Sequence, residues 1–392
     1  MSRVGLRVRT PPTAAPAQHT SVSTNRLLAA VGVFFVLSAH SVGAQTPVVH
    51  APLQPAFSIK GKVIAEATGT ALPYSTVIVD PVGGEKFTDE AGVFQYYDAA
   101  PGTYRVRVRQ LGYIPLDTTV QFSPDKPVPV FALLRLPTAL AEVQVSAPPR
   151  RCIVPDELGY VNDEELATIL GEARKNADRE RLLRKLYPFE YRLAQQHDTY
   201  DTRATTHAVK YDTMTFRSDD SWGYKKGKVV SGDRNKLFGD VRVMRLPTLG
   251  DLADRRFLTA HCFKYSGVEE QGGIAVHRID FQPLKNIIAP DVEGSIFLDS
   301  ASYIIRKAEF RLTRGGSIKP AVLRMEVITT YREILPNVAL FDEIRSIQPL
   351  QLEAGSNPIE FRQTQQLLSF KFLHGAPPGA EAEITRISAG RK

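Results

Sequence analysis

Arg105, Arg107 and Arg109 alternate with Tyr104, Val106 and Val108 in one short run. On a strand, side chains two apart share a face and stand about 6.5–7 Å from each other. Three guanidinium groups in such a row can meet phosphate or uronate oxygens through paired N–H bonds. The same row can also be a solvated sheet face that discourages edge pairing. The solvated face is the preferred reading; as a ligand site, the stripe would fit a polysaccharide or lipid headgroup carrying anions.

No other grouping points to a reaction. The histidines are His19, His40, His50, His197, His207, His261, His277 and His374. None is followed by the Glu that a zinc peptidase helix places beside its paired histidines. His261 and His277 fall in two strands of one expected hairpin, and with Cys262 they make a conceivable metal site. Ordinary strand histidines are the preferred reading, because adjacent His261 and Cys262 point to opposite faces of a strand. A Gly-x-Ser-x-Gly elbow does not occur, and Gly223-Tyr224-Lys225-Lys226-Gly227-Lys228 lacks the spacing of a phosphate-cradling loop. Asp219-Asp220 and Asp89-Glu90 lack the alternating acids of a calcium loop and read as loop and turn residues. No catalytic residue, metal or cofactor is expected.

The elements that position the stripe are short strands. Tyr104, Val106 and Val108 face one side and the arginines the other, while Thr76-Val77-Ile78-Val79 is a β-branched run suited to a buried central strand. Asp89-Glu90-Ala91-Gly92 reads as a hairpin turn, in which Asp89 bonds the following amides and Gly92 takes positive φ. Pro101-Gly102 is a second turn, and Gly112 ends the arginine strand. About seven strands at this spacing make a β-sandwich.

The rest of the chain sets compartment and boundaries. At 392 residues it has room for two domains. Arg3, Arg7, Arg9 and Arg26 precede any acid, and the apolar run Leu27–Leu37 leads to Val42-Gly43-Ala44 before Gln45. That order predicts a signal peptide over residues 1–44 and export to the periplasm or to the outer membrane or cell surface. The apolar run is too short to span a bilayer, and no transmembrane segment is expected in the mature chain. Without the four arginines the net charge of +7 falls to +3, too small to argue for nucleic acid. Residues 45–57 read as a linker, 58–136 as the sandwich, 137–160 as a Pro-rich linker and 161–392 as a second domain. Cys152 and Cys262 are the two cysteines. In an oxidising compartment they either pair or stay as separate thiols, and spacing does not decide which.

The second domain opens with a helix capped by Asn162 or Asp163 and carrying Leu166, Ile169, Leu170 and Ala173. A second helical piece carries Leu182, Leu183 and Leu186. Strands follow Pro188. Residues 261–265 and 274–281 flank Gly272-Gly273 as a hairpin, and 294–299 with 303–312 make the next. Leu323, Met325, Val327 and Tyr331 face one side of a further strand, and 338–348 and 359–373 supply two more.

Gly61-Lys62-Val63, Leu72-Pro73, Val77-Ile78-Val79, Thr88-Asp89-Glu90-Ala91-Gly92-Val93-Phe94, Pro101-Gly102-Thr103-Tyr104 and Leu111-Gly112-Tyr113, in this order, resemble the carboxypeptidase regulatory-like family. The resemblance implies a transthyretin-like sandwich that is not itself catalytic. Such modules also precede bacterial outer-membrane receptors, where a short strand like Ala141–Ala147 follows. The second domain, through Ala167–Asn176, Tyr187-Pro188-Phe189-Glu190-Tyr191, Arg278–Pro283 and Gly294–Asp299, resembles an uncharacterised envelope-protein family that carries the same module. Its sheet is similar in pattern to the half-open barrel of periplasmic lipoprotein carriers.

The expected fold is therefore mainly β: a seven-stranded sandwich followed by a helix-capped, half-open-barrel-like antiparallel sheet. The expected role is binding or scaffolding in the cell envelope, with a protein, polysaccharide or lipid partner. One alternative is a carrier or sensor holding a lipid-type ligand against Ile296, Leu298, Ile304, Phe310, Leu323, Met325 and Val327, although a filled core is the preferred reading of these residues. The other is a peptidase-associated accessory protein.

Overall fold

A computed structural model describes residues 57–137, 151–201, 207–219, 223–235, 239–244, 247–252, 254–317, 321–322, 324–351 and 359–380. The signal segment 1–44 and the strand expected over 141–147 lie outside these residues, as do Arg150, Asp220 and Leu323.

The sandwich comprises β1 (Phe57–Ala65), β2 (Thr76–Asp80), β3 (Glu85–Phe87), β4 (Val93–Ala99), β5 (Gly102–Arg109), β6 (Leu116–Phe122) and β7 (Val130–Leu133). One sheet runs β4-β1-β7 and the other β3-β2-β5-β6. Alternation places Ile59, Val63, Val77, Val79, Val106 and Val108 between them, with Phe94, Tyr96, Phe131 and Leu133 filling the layer.

The Asp89–Gly92 turn differs from the hairpin expected. It joins β3 to β4, which belong to different sheets, so it carries the chain across the sandwich. Local chemistry is still that of a tight turn: Asp89 Oδ1 accepts from Val93 N at 2.7 Å and Gly92 N donates to Asp89 O at 3.0 Å. Sheet membership was not legible because a turn sets only the local reversal; the long-range pairing of β1 with β4 decides the rest. Gly92 has φ +72°, and a Cβ there would run into the Val63 carbonyl oxygen. Gly92→Ala is expected to cost about 1–3 kcal/mol in urea unfolding. Gly102→Ala is expected to be near neutral, since its nearest neighbour is the Tyr104 ring at 3.5 Å.

The second region opens with α1 (Glu164–Leu186), capped by Asp163, whose side chain accepts from Leu166 N. It is one continuous helix, where the sequence suggested two pieces. The polar stretch between them is buried: Asn176, Arg179 and Glu180 are almost inaccessible and find polar partners.

The strands are β8 (Phe189–Asp201), β9 (His207–Arg217), β10 (Val230–Asn235) and β11 (Gly239–Met244), followed by the short helices α2 (Leu249–Leu252) and α3 (Arg255–Leu258). Next come β12 (His261–Gln271), β13 (Ile274–Pro283), β14 (Val292–Asp299), β15 (Ile305–Leu312), β16 (Ala321–Val322), β17 (Glu326–Leu335), β18 (Val338–Gln351) and β19 (Ile359–Phe372). The large sheet is antiparallel, in the order β12-β13-β14-β15-β17-β18-β19-β8-β9, with β16 on β18. It is not closed into a barrel.

One cross-strand row shows how the sheet is used. Ile296, Ala308, Thr329 and Ile344 are paired in register and continue through Gln365 and Gln195 to Asp212. The apolar end packs with Leu166, Ile169, Leu170 and Ala173 of α1 in one core. The row turns polar toward β9. A second core gathers Leu183, Phe189, Leu193, Leu340, Leu367 and Phe370 where β8 and β19 meet the end of α1.

Candidate functional site

β5 turns the three arginines outward, and each meets a carboxylate. Arg105 lies 2.6 Å from Asp117, Arg107 2.8 Å from Asp80, and Arg109 2.7 Å from Glu85 and 3.3 Å from Asp178. The hydrogen bonds from Arg105 hold the Asp117 carboxyl below the usual carboxylate range. An incoming anion must therefore displace acids already in place.

Arg109 leads into a junction between the sandwich and α1, which carries Asp178. Gly112, at φ +72°, donates its N–H to Glu172 Oε2 at 2.9 Å. Lys175 Nζ sits 2.6 Å from Glu172 Oε1 and donates to the carbonyls of Gln110 and Tyr113. Burial pushes the Glu172 carboxyl up and the Lys175 amine down, and their contact opposes both shifts. Arg179 is enclosed; it donates to Asn337 O and Gln110 Oε1, each at 2.7 Å, and to Tyr74 O. Every strong bond here is internal, and the gap beside it holds no solvent-sized space.

The conceivable His261–His277–Cys262 metal site does not assemble. Register places His261 opposite Pro283 and His277 opposite Val268, at separate ends of the hairpin. Cys262 is bonded to Cys152 in a disulfide, with S–S 2.00 Å. His261 is sealed in the core, its Nδ1 2.9 Å from Phe257 O and its Nε2 3.0 Å from Val292 O. Asp291 beside it accepts from Tyr224 Oη at 2.8 Å and from Gly227 N at 2.9 Å. Among the described residues no cluster of three His, Cys, Asp or Glu is placed to hold a metal.

His277 is also buried, stacked on Tyr303 with its Nδ1 2.7 Å from Tyr265 Oη. Burial pushes its pKa down from the ordinary 6.5. The unfolded chain then binds more protons than the folded one once the pH drops below that value. Stability is therefore complete above about pH 6.5 and declines as the pH falls through the lower folded value. His277→Gln is expected to shrink the Tm difference between pH 8 and pH 5, measured by thermal melts.

The residues considered as a ligand-lining face are core. Ile296, Leu298, Ile304, Phe310, Met325 and Val327 are all at most 7% exposed and belong to the cluster that α1 covers.

Open space lies elsewhere. A cleft of about 530 Å³ is lined by Ala194, Gln195, Gln196, Tyr211, Asp212, Thr213, Thr364 and Gln366, on β8, β9 and β19. Gln196 pairs with Tyr211 on one side and Thr364 on the other; Ala194 pairs likewise with Thr213 and Gln366. These six side chains therefore share one face, opposite to that of Gln195 and the core row. Tyr211 is 73% exposed. Gln196 Nε2 lies 3.2 and 3.1 Å from the Asp198 carboxylate oxygens, and Gln366 Nε2 donates to Glu343 at 2.7 Å. Among the described residues neither amide carbonyl accepts a hydrogen bond. Among the described residues the hydroxyls of Tyr211, Thr213 and Thr364 have no hydrogen-bond partner within the chain.

The sequence did not point to this cleft. A trace of it was present: Gln195-Gln196 and Gln365-Gln366 make strand positions polar on both faces, which a half-buried sheet rarely tolerates without reason.

Residues 58–148 match the family model of the carboxypeptidase regulatory-like domain. No curated protein matches the chain. Among solved structures, it is similar to a LolA superfamily protein from Nitrosomonas europaea, at 10% identity over 53% of this chain and 94% of that one, with a TM-score of 0.27. It is likewise similar to a DUF1329 family protein from Desulfovibrio piger, at 8% identity over 53% and 94%, with a TM-score of 0.32. A third is a putative outer membrane lipoprotein-sorting protein domain from Vibrio parahaemolyticus, at 11% identity over 55% and 97%, with a TM-score of 0.28.

Proposed function

We propose that this chain is an exported, non-enzymatic protein of the bacterial envelope, in which a carboxypeptidase regulatory-like sandwich and a sheet domain form one binding or scaffolding body. The junction carries this reading. Arg179, Lys175 and Glu172 on α1 fasten the Gln110–Tyr113 segment and Tyr74 of the sandwich through buried charged hydrogen bonds. A module tied in this way presents its outer surfaces at fixed relative positions, which is what a platform needs and a substrate-gated enzyme does not. The cleft on β8, β9 and β19 holds no paired nucleophile and base. The n-region, apolar run and Val42-Gly43-Ala44 of the sequence support export.

The test is fractionation of cells expressing the full chain, with N-terminal sequencing of the recovered protein. A chain beginning at Gln45 in the periplasmic or membrane fraction is the expected result. An unprocessed chain in the cytosol overturns the export reading, and hydrolysis of peptides of varied C-terminus by the purified protein overturns the non-enzymatic one.

A further inference from the structure

We propose that the cleft between β8, β9 and β19 is a subsite for a neutral carbohydrate, a short stretch of uncharged oligosaccharide within a longer glycan. This names the partner of the binding body proposed above and rests on that reading.

The lining sets the ligand class by what it can and cannot satisfy. Gln196 and Gln366 contribute amides, Thr213 and Thr364 contribute hydroxyls, and Tyr211 adds an exposed ring with its own hydroxyl. Hydroxyls both donate and accept, and the free amide carbonyls accept. A sugar ring presents the complementary set: hydroxyls around its rim that do both, and an apolar C–H face that packs on an aromatic ring. Neighbouring strands stand about 4.8 Å apart. That step is close to the width of one pyranose ring, so polar groups on β9, β8 and β19 can follow successive hydroxyls. The volume of about 530 Å³ falls in the range of small-ligand sites, about 300–1,000 Å³.

Other ligand classes fit less well. No cation lines the cleft. Three nearby cations are engaged: Lys210 lies 3.8 Å from Asp212, Arg345 2.5 Å from Glu343 and Arg362 2.6 Å from Glu360. Arg192, two residues from Ala194 on the same face of β8, is exposed but stands outside the lining. A phosphate or carboxylate therefore meets no cation in the lining itself. An acyl chain would strip water from the Gln and Thr side chains and give them no partner in return. Apart from the Tyr211 ring, Ala194 is the sole apolar side chain in the lining.

The experiment uses the mature chain from Gln45 onward and a panel of maltohexaose, cellohexaose and chitohexaose, read by saturation-transfer NMR and calorimetry. Heparin, phosphatidylglycerol vesicles and an extended peptide are the comparison arms. At least one neutral hexasaccharide is expected to bind, with an affinity unchanged between low and high salt. Tyr211→Ala is expected to weaken binding at least tenfold, and Gln196→Leu about fivefold, with Tm unchanged. Tyr211→Trp should retain binding, and Tyr97→Ala, at an exposed aromatic on the sandwich, should leave it unaltered. The proposal is overturned if no panel member binds, if Tyr211→Ala binds as well as the parent chain, or if only heparin, vesicles or peptide occupy the cleft. A chain processed at Gln45 that ignores every sugar sinks this proposal and leaves export intact. An unprocessed cytosolic chain that binds a hexasaccharide does the reverse.

Discussion

Replacing Arg179 with Met will lower the unfolding free energy by about 3–9 kcal/mol, because two buried acceptors and one part-buried acceptor lose their donor at about 1–3 kcal/mol each. Those acceptors are Tyr74 O, Gln110 Oε1 and Asn337 O, so one guanidinium ties the sandwich, α1 and the β17–β18 turn together. Burial pulls the Arg179 pKa down to about 9, which still leaves the cation in place at neutral pH. Met preserves most of the alkyl volume, so the loss reports hydrogen bonds rather than a cavity. Urea unfolding followed by far-UV circular dichroism measures it. The variant should also lose the single cooperative transition, with the sandwich and the sheet domain melting apart. In a double-mutant cycle with Gln110→Leu, a coupling of about 1.5–3 kcal/mol is expected for a charged hydrogen bond. A loss under about 1 kcal/mol with one unchanged transition would show that the junction does not join the two parts.

The second large effect is at the disulfide. Cys152→Ser with Cys262→Ser should cost about 4–5 kcal/mol, the chain-entropy value for a bridge of sequence separation 110. The bond fixes the segment that leaves the sandwich against β12, an edge of the large sheet. Beside it Ile153 and Phe263 exchange two backbone hydrogen bonds of 2.7 Å each. That pairing covers part of an edge that would otherwise offer free N–H and C=O groups. Parent protein in reducing agent should match the double variant in midpoint and slope. Equal stability of the oxidised and reduced protein would remove this account.

Legibility varied with the range of the interaction. In the sandwich, alternation at Tyr104–Arg109 placed valines inside and arginines outside without help from the rest of the chain. Their partners were not readable. Asp80, Glu85, Asp117 and Asp178 are separated from the arginines by 12 to 69 residues, and pairing of β3, β2, β5 and β6 with packing on α1 delivers them. The arginine row is therefore matched by its own acids. In α1, the polar run Arg174–Arg181 read as an interruption because helical faces are recognised by apolar spacing. Its burial depends on carbonyls and side chains contributed by Gln110, Tyr113, Tyr74, Tyr303 and Asn337.

The sequence by itself determined the elements: strand alternation, the Asp89–Gly92 turn, a helix cap at Asn162 or Asp163 and the order of a sandwich before a helix and a meander. Each of these rests on contacts within a few residues, where residue type and spacing are sufficient. Tertiary structure alone decided the site. β19 returns to pair with β8, more than 150 residues earlier in the chain, and only that closure sets Thr364 and Gln366 beside Gln196, Tyr211 and Thr213. It also decided that the three arginines are paired and that Ile296, Phe310 and Val327 pack against α1. Non-local register and charge pairing are properties of the folded surface, and no local pattern in the chain encodes them.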